Sequence, residues 1–234
     1  MSRSCHVKNR TIVVIFIVGY PSDAVELKSV LDESELHDDI LLTTIRETYS
    51  NLPLKTHSLF QYKEYFCKNA LYLAKTDDDV VIDTDRLVSS LDRFRGENSI
   101  FGYLYEGAIP KRNPQNKWYV TVERYQRSKY PNYVAGGFYL VTSDAVGKIL
   151  RNVNKTSWIH IEDLLFTGLI PSLRLPGYWP CDANNQPFLI AEHDDGPMDA
   201  KIFVQKYDRL KKIKCSKLPF MIFSLVCTHL NICF

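Results

Sequence analysis

Residues 75–79 of this 234-residue chain read Lys-Thr-Asp-Asp-Asp and place three consecutive carboxylates, Asp77, Asp78 and Asp79, between two apolar runs. Adjacent negative charges repel one another, and a strand edge is a poor place to leave them unpaired. A divalent cation removes the repulsion, because carboxylate oxygens are preferred ligands of hard ions such as Mg²⁺ and Mn²⁺. Such a site keeps positions open for phosphate oxygens. The same triplet also suits a solvated turn, since Asp side chains hydrogen-bond their own backbone. The flanks favour a metal–diphosphate site: strand-forming runs lie on both sides, and Asp83-Thr84-Asp85 opens a helix. Strand ends of this kind are where open α/β sheets gather ligands.

Three further segments carry chemistry. Gly136 and Gly137 interrupt the apolar run 130–140; paired glycines weaken a strand unless something approaches its backbone closely or a bulge forms there. Glu162 and Asp163 stand at the start of an apolar helical stretch, where the helix dipole favours a carboxylate. Either a helix cap or a general base, taking a proton from an attacking hydroxyl, accounts for them. His193 follows a short apolar strand; beside an Asp triplet it is a candidate nitrogen ligand, better tolerated by Mn²⁺ than by Mg²⁺.

The elements that must position these residues alternate. Strands are expected at 11–18, 39–42, 71–74, 80–82, 99–104, 117–122, 133–142 and 159–161. Helices are expected at 23–36 with Leu27, Val30 and Leu31 on one face, and within 51–70. Others use Leu87, Leu91 and Phe94, begin at Ser143 as N-cap, and cover 200–213. Alternation argues an α/β fold with a mostly parallel central sheet.

Composition narrows the function classes. Lys+Arg 29 against Asp+Glu 27 gives +2, too near neutral for a nucleic-acid binder. Six cysteines without a Cys-x-x-Cys pair argue against zinc and permit one or two disulfides. Asn154-Lys155-Thr156 is a glycosylation sequon. The run 11–18 is too short to span a membrane. The apolar tail after Lys217 is interrupted by Pro219, Thr228, His229 and Asn231, so a buried or non-native terminus is expected. The boundaries are a remnant at 1–10, one domain at 11–213, and a tail of unknown role at 214–234.

The blocks 16–19, 33–34 with 38–40, 48–56, 75–80, 117–120, 130–140 and 162–168 occur in an order that resembles the β-1,3-galactosyltransferase/β-1,3-N-acetylglucosaminyltransferase family. The resemblance spans about residues 12–205. It implies a GT-A fold (a nucleotide-sugar-binding α/β/α sandwich), dependence on Mn²⁺ with Mg²⁺ as the alternative, inversion at the anomeric carbon, and residence in the Golgi lumen as a single-pass type II membrane protein. It assigns Asp79, Asp77 and His193 to the metal, and Lys55, Lys75, Asp77 and Asp78 to the donor. Gly136, Gly137, Trp118 and Glu162 fall to the acceptor side, and Asp163 to the catalytic base. The family's usual anchor, stem and Arg-rich first block precede the equivalent of Phe16, and only fifteen residues do so here. Pro53 stands where the family often has Thr, which removes a sequon at Asn51.

The resemblance implies transfer of galactose or N-acetylglucosamine from a UDP-sugar to a glycan, glycoprotein or glycolipid hydroxyl in β-1,3 linkage. Two rivals stand beside it: a catalytically inactive binding protein of the same fold, and a metal-dependent phosphohydrolase.

Overall fold

The computed structural model describes residues 4–7, 10–94, 96–170, 172–175, 190–193 and 199–214. In chain order the strands and helices are β1 Ser4–Val7, β2 Arg10–Val13, β3 Phe16–Tyr20, α1 Ala24–His37, β4 Ile40–Arg46, α2 Leu52–Phe66, β5 Tyr72–Thr76 and β6 Val80–Ile82. They continue with α3 Thr84–Ser90, β7 Ile100–Tyr105, β8 Tyr133–Thr142, α4 Ser143–Asn152, β9 Ala191–His193 and α5 Ala200–Lys212. Short 3₁₀ turns precede α2 and follow α3 and α4, and Leu164–Leu169 forms a π-helix.

The fold is mixed α/β, but the expected mostly parallel sheet is not what the described strands form. Parallel pairing between named strands is confined to β3 with β4. The long β8 lies between β5 and β7 and runs antiparallel to both, and β6 pairs antiparallel with β9. Insertion of one antiparallel strand replaces a run of parallel neighbours, which alternation of elements does not reveal. The expected strand 11–18 is two strands, because the chain leaves the β1–β2 hairpin and crosses to the β3–β4 pair.

Two other expected strands are loops. At 117–122 the backbone carbonyls turn to the Arg112 guanidinium, which donates to Val120 O at 2.7 Å, Thr121 O at 2.8 Å and Tyr125 O at 2.7 Å. A side chain satisfies there what a strand partner would have. Residues 159–161 likewise lead straight into the helical turn at Glu162. Ser143 is the first residue of α4, not its cap; Thr142 holds the N-cap position, and the Ser143 hydroxyl accepts from the buried Lys63 of α2. Helix α1 buries no residue, and Leu31 is half exposed, so its expected apolar face is only partly covered.

The core lies beneath β8. Val134, Tyr139 and Val141 pack with Val146 and Ile149 of α4 and with Leu164, Leu165 and Phe166 of the π-helix. Phe60 of α2 meets Phe166 edge-on, with ring centroids 5.1 Å apart, a geometry worth about 0.5–1.5 kcal/mol beyond the area it buries. Cys67 is a free thiol; the side chains of the other cysteines and the tail beyond Lys214 lie outside the described residues.

The β7–β8 ladder breaks between the pairs Gly102↔Tyr139 and Leu104↔Val134. Across that gap Tyr103 alone faces Ala135, Gly136, Gly137 and Phe138, so β8 bulges away from β7 at its two glycines. Gly102 anchors the rim of the bulge. A Cβ there would lie 2.4 Å from Val134 Cγ1 and 3.0 Å from Phe138 O. Gly102→Ala is expected to lower unfolding free energy by about 1–3 kcal/mol through overpacking, read as a lower midpoint in urea at unchanged slope.

Candidate active site

The bulge carries the site. Asp77 leaves β5 by donating its backbone N–H to Gly137 O at 3.0 Å, and Asp78 and Asp79 turn the chain into β6. Because Val80 pairs with His193, the register of β6 and β9 delivers the imidazole beside Asp79. One ligand atom each from Asp77, Asp79 and His193 lies within 4.8 Å of the other two. Asp79 Oδ1 sits 3.3 Å from His193 Nε2, yet it is buried with no hydrogen-bond partner. A buried acceptor left unsatisfied costs about 1–3 kcal/mol. A divalent cation at this corner would satisfy it, and two carboxylates with one imidazole suit Mn²⁺ better than Mg²⁺. Asp78 is exposed and falls outside this group of three.

Gly137 makes room for the ligand. A Cβ there would lie 3.2 Å from His193 Cδ2, so the ring rests against the bare backbone of β8. Gly136 does the same for Asp163, whose Oδ2 accepts the Gly136 N–H at 2.9 Å. The groups that approach the paired glycines in this structure are thus an imidazole and a carboxylate of the protein itself.

Asp163 stands at the head of the π-helix, a form frequent at functional sites. Its Oδ1 accepts the Leu164 N–H at 2.8 Å, so it also caps. The Thr167 hydroxyl donates to Asp163 O at 2.7 Å and accepts the Val134 N–H at 2.8 Å, tying this turn to β8. Burial raises the Asp163 carboxyl above its ordinary range, although the two N–H groups and Lys75 oppose the shift. A more basic carboxylate that still presents unused lone pairs suits proton abstraction.

Lys75 joins the two corners. Only 6% exposed, it donates Nζ to Asp77 Oδ1 and, at 2.6 Å, to Gly136 O; Glu162 Oε2 lies 3.7 Å away. Glu162 is buried and accepts the Tyr139 hydroxyl at 2.6 Å. Burial pushes the Glu162 carboxyl up to about 6, with Lys75 and the Tyr139 hydroxyl pulling the other way. Burial works against the Lys75 ammonium, but Glu162 and Asp77 outweigh it and hold the group above its usual value. Glu162 therefore faces inward to Lys75 and Tyr139.

Tyr49 is half exposed and Trp118 is 42% exposed. Burial raises the Tyr49 phenol despite a hydrogen bond donated by the Trp118 indole N–H, and the charges of Asp163, Asp77 and Glu162 add to the rise. Tyr49 had no role in the sequence reading; its place in the 48–56 block was the available signal. The Lys55 ammonium donates to both Glu47 oxygens at 2.8 and 2.9 Å, and Glu47 Oε2 accepts the Gly19 N–H. Asn154 is exposed on the turn after α4.

A mixed α/β protein whose candidate metal corner and buried acid rest against adjacent glycines of one strand is the class these features define. Residues 1–175 match the family model described as Galactosyltransferase, and the chain belongs to that family. It is 32% identical over 164 residues to beta-1,3-galactosyltransferase 5 of Homo sapiens, covering 70% of this chain and 53% of that protein. It is 31% identical over 165 residues to beta-1,3-galactosyltransferase 1 of Mus musculus (69% and 50%) and 30% identical over 151 residues to beta-1,3-galactosyltransferase 2 of Homo sapiens (63% and 36%). The chain spans about half the length of the first and second of these relatives, and less of the third.

Removing the Lys75 ammonium would leave Asp77 and Glu162 without their buried cation. Lys75→Met is expected to lose about 3–5 kcal/mol of stability in urea unfolding, far more than truncating an exposed lysine such as Lys28. Saturating Mn²⁺ should restore part of the loss, since it supplies positive charge at Asp77.

Proposed function

We propose that this chain is the catalytic part of an inverting GT-A glycosyltransferase that transfers galactose from UDP-galactose to a glycan hydroxyl in β-1,3 linkage. One observation carries the reading: Asp163 and His193 rest against neighbouring glycines of one bulged strand, so a base and a cation site stand side by side. The relatives are beta-1,3-galactosyltransferases, which favours galactose over N-acetylglucosamine as the transferred sugar.

Asp77, Asp79 and His193 would hold Mn²⁺, whose charge when bound neutralises the diphosphate and makes UDP a better leaving group. Asp163 takes the proton of the acceptor hydroxyl as its oxygen bonds to the anomeric carbon from the face opposite the diphosphate. The bond from that carbon to the phosphate oxygen breaks, and UDP departs with the electron pair. Lys75 keeps Asp77 and the Gly136 carbonyl in fixed relation during the exchange. Trp118, partly exposed beside the acids, offers a ring face to a sugar, and Asp78 is free of the metal group to meet the nucleotide. A Golgi lumenal setting follows from the family reading, and the exposed Asn154 sequon supports it. Among the described residues no helix is long and apolar enough to cross a membrane.

The test separates the two corners. Asp79→Asn is expected to weaken Mn²⁺-dependent UDP binding by at least tenfold in calorimetry while urea unfolding changes little. Unchanged affinity in a folded variant removes Asp79 from the metal.

Asp163→Asn retains a side chain able to cap, since Asn and Asp rank alike there, but it cannot take a proton. Near-normal Mn²⁺–UDP binding with transfer reduced by about 10²–10⁴ is expected. Transfer within a few-fold of wild type returns Asp163 to capping alone. Wild-type protein that binds Mn²⁺–UDP and transfers to no acceptor is a binding module instead.

A further inference from the structure

Positive charge is unevenly distributed along the chain. Residues 108–130, in the loop between β7 and β8, hold six basic residues against the single acid Glu123, although the whole chain is only +2. The remainder is therefore net negative. Of the six, Arg112 is structural: its guanidinium gathers the carbonyls of Val120, Thr121 and Tyr125, with Arg127 O at 3.4 Å. Lys117 lies over the Trp118 ring, 4.5 Å from its centroid. Lys111, Arg124, Arg127 and Lys129 are exposed, and among the described residues none of these four is in an ion pair. Basic residues of α5 such as Arg209 and Lys211, by contrast, are paired with acids.

Contacts within the loop make it one compact body. Lys111 pairs with Tyr119 in an isolated bridge, the Val120 N–H donates to Lys111 O at 3.0 Å, and the Tyr130 N–H donates to Ala108 O at 2.8 Å. The Tyr125 hydroxyl donates to Lys129 O at 3.0 Å, and its ring packs on Tyr130 with centroids 4.9 Å apart. Pro110, Val120 and Tyr130 are buried and root the loop in the core. Held from within by Arg112, the loop still leaves Ile109 63% and Val122 56% exposed. Single exposed aliphatic side chains are ordinary and mark nothing by themselves. What sets these two apart is company: Ile109 stands two residues from Lys111, and Val122 two residues from Arg124. Helix α1 exposes Val25 and Leu36 still further, but among Glu26, Asp32, Glu33 and Glu35.

Aliphatic side chains beside unpaired cations match the interface of a lipid bilayer. The aliphatic groups enter the boundary between headgroups and acyl chains, and Lys and Arg meet anionic headgroups. A soluble polyanion would engage the cations and give the aliphatic groups nothing to enter. We propose that the loop 108–130 docks on a bilayer surface that carries anionic headgroups, through Ile109 and Val122 together with Lys111, Arg124, Arg127 and Lys129. The docking surface is independent of the transferase reading, since none of these six side chains has a role in it.

The full chain is titrated with vesicles of phosphatidylcholine alone and of phosphatidylcholine with phosphatidylserine. The readout is the ratio of the two affinities, so binding common to both lipids cancels. Wild type is expected to favour the anionic vesicles by at least about tenfold at low salt, and less as salt is added. Arg124→Gln with Arg127→Gln should weaken binding to anionic vesicles by about 10–30-fold, at roughly fivefold for each basic residue near the surface. Ile109→Ser with Val122→Ser should weaken it by about tenfold, whereas Val25→Ser with Leu36→Ser should leave it unchanged. Hydrogen exchange on wild type needs no variant: amides of 108–130 should slow on anionic vesicles and not on neutral ones. The absence of any preference for anionic vesicles, an arginine-pair variant that keeps the full preference, or unprotected amides in 108–130 overturns the docking surface. Binding lost in the arginine pair but fully kept in the aliphatic pair marks a site for soluble polyanions, and overturns bilayer docking as well.

Discussion

The buried ammonium of Lys75 is the interaction on which the site depends. A lone cation in a protein interior is costly, and it persists only where its donors are met and opposite charge is close. Here the partners are Asp77, the Gly136 carbonyl and Glu162. Each belongs to a different part of the chemistry. Asp77 belongs to the metal corner, Gly136 offers its N–H to Asp163, and Glu162 is the residue before Asp163. One side chain at the end of β5 therefore ties the acidic corner at Asp77 to the glycine that holds Asp163.

The same interaction explains the charge balance. Asp77, Asp79, Glu162 and Asp163 crowd one cleft, where Lys75 pairs with Asp77 and lies close to Glu162, and His193 stands beside Asp79. Burial is the main reason that the Glu162 and Asp163 carboxyls stand above their ordinary range, and at Glu162 the charges of Asp163 and Asp77 add to the rise. A divalent cation at Asp77 and Asp79 reduces the negative charge on the donor side. Glu162 is engaged by Lys75 and Tyr139, whereas Asp163 is held by the N–H groups of Gly136 and Leu164. Two adjacent carboxylates thus acquire different surroundings, one facing an ammonium and a phenol and the other two backbone N–H groups.

What was legible in the sequence was local. Three acids in a row, two paired glycines and an acid pair before an apolar turn each announce themselves within ten residues, and each lies in the site. The longer-range facts were not legible, because they are set by register. That Gly137 abuts His193 follows from β6 pairing with β9 and from the bulge in β8, neither of which leaves a periodic mark. Alternation of elements argues a mostly parallel sheet, whereas among the described strands β8 pairs antiparallel with both of its neighbours. The expected strand 117–122 failed because one arginine, remote from any pattern, takes its carbonyls. Lys55 shows the converse: a block match located it, but its pairing with Glu47 ties it to Gly19 and β3.

The two halves of the site are not held with equal strength. Asp163 sits on the best-packed part of the molecule, where Leu164, Leu165 and Phe166 are fully buried against β8 and α4. His193 comes from a three-residue strand whose ladder has three pairs. Ion pairs contribute to the docking of α5 on β9: Glu192 pairs with Arg209 and Lys206 of α5, while Lys211 reaches Asp83 and Asp85 and Arg86 donates to Leu210 O. Partly exposed ion pairs are individually weak and screened by salt. Local opening should therefore begin at β9 and α5 and leave the base in place. A cation that bridges Asp79 to His193 would oppose that opening, so donor binding and the docking of α5 are linked by mass action.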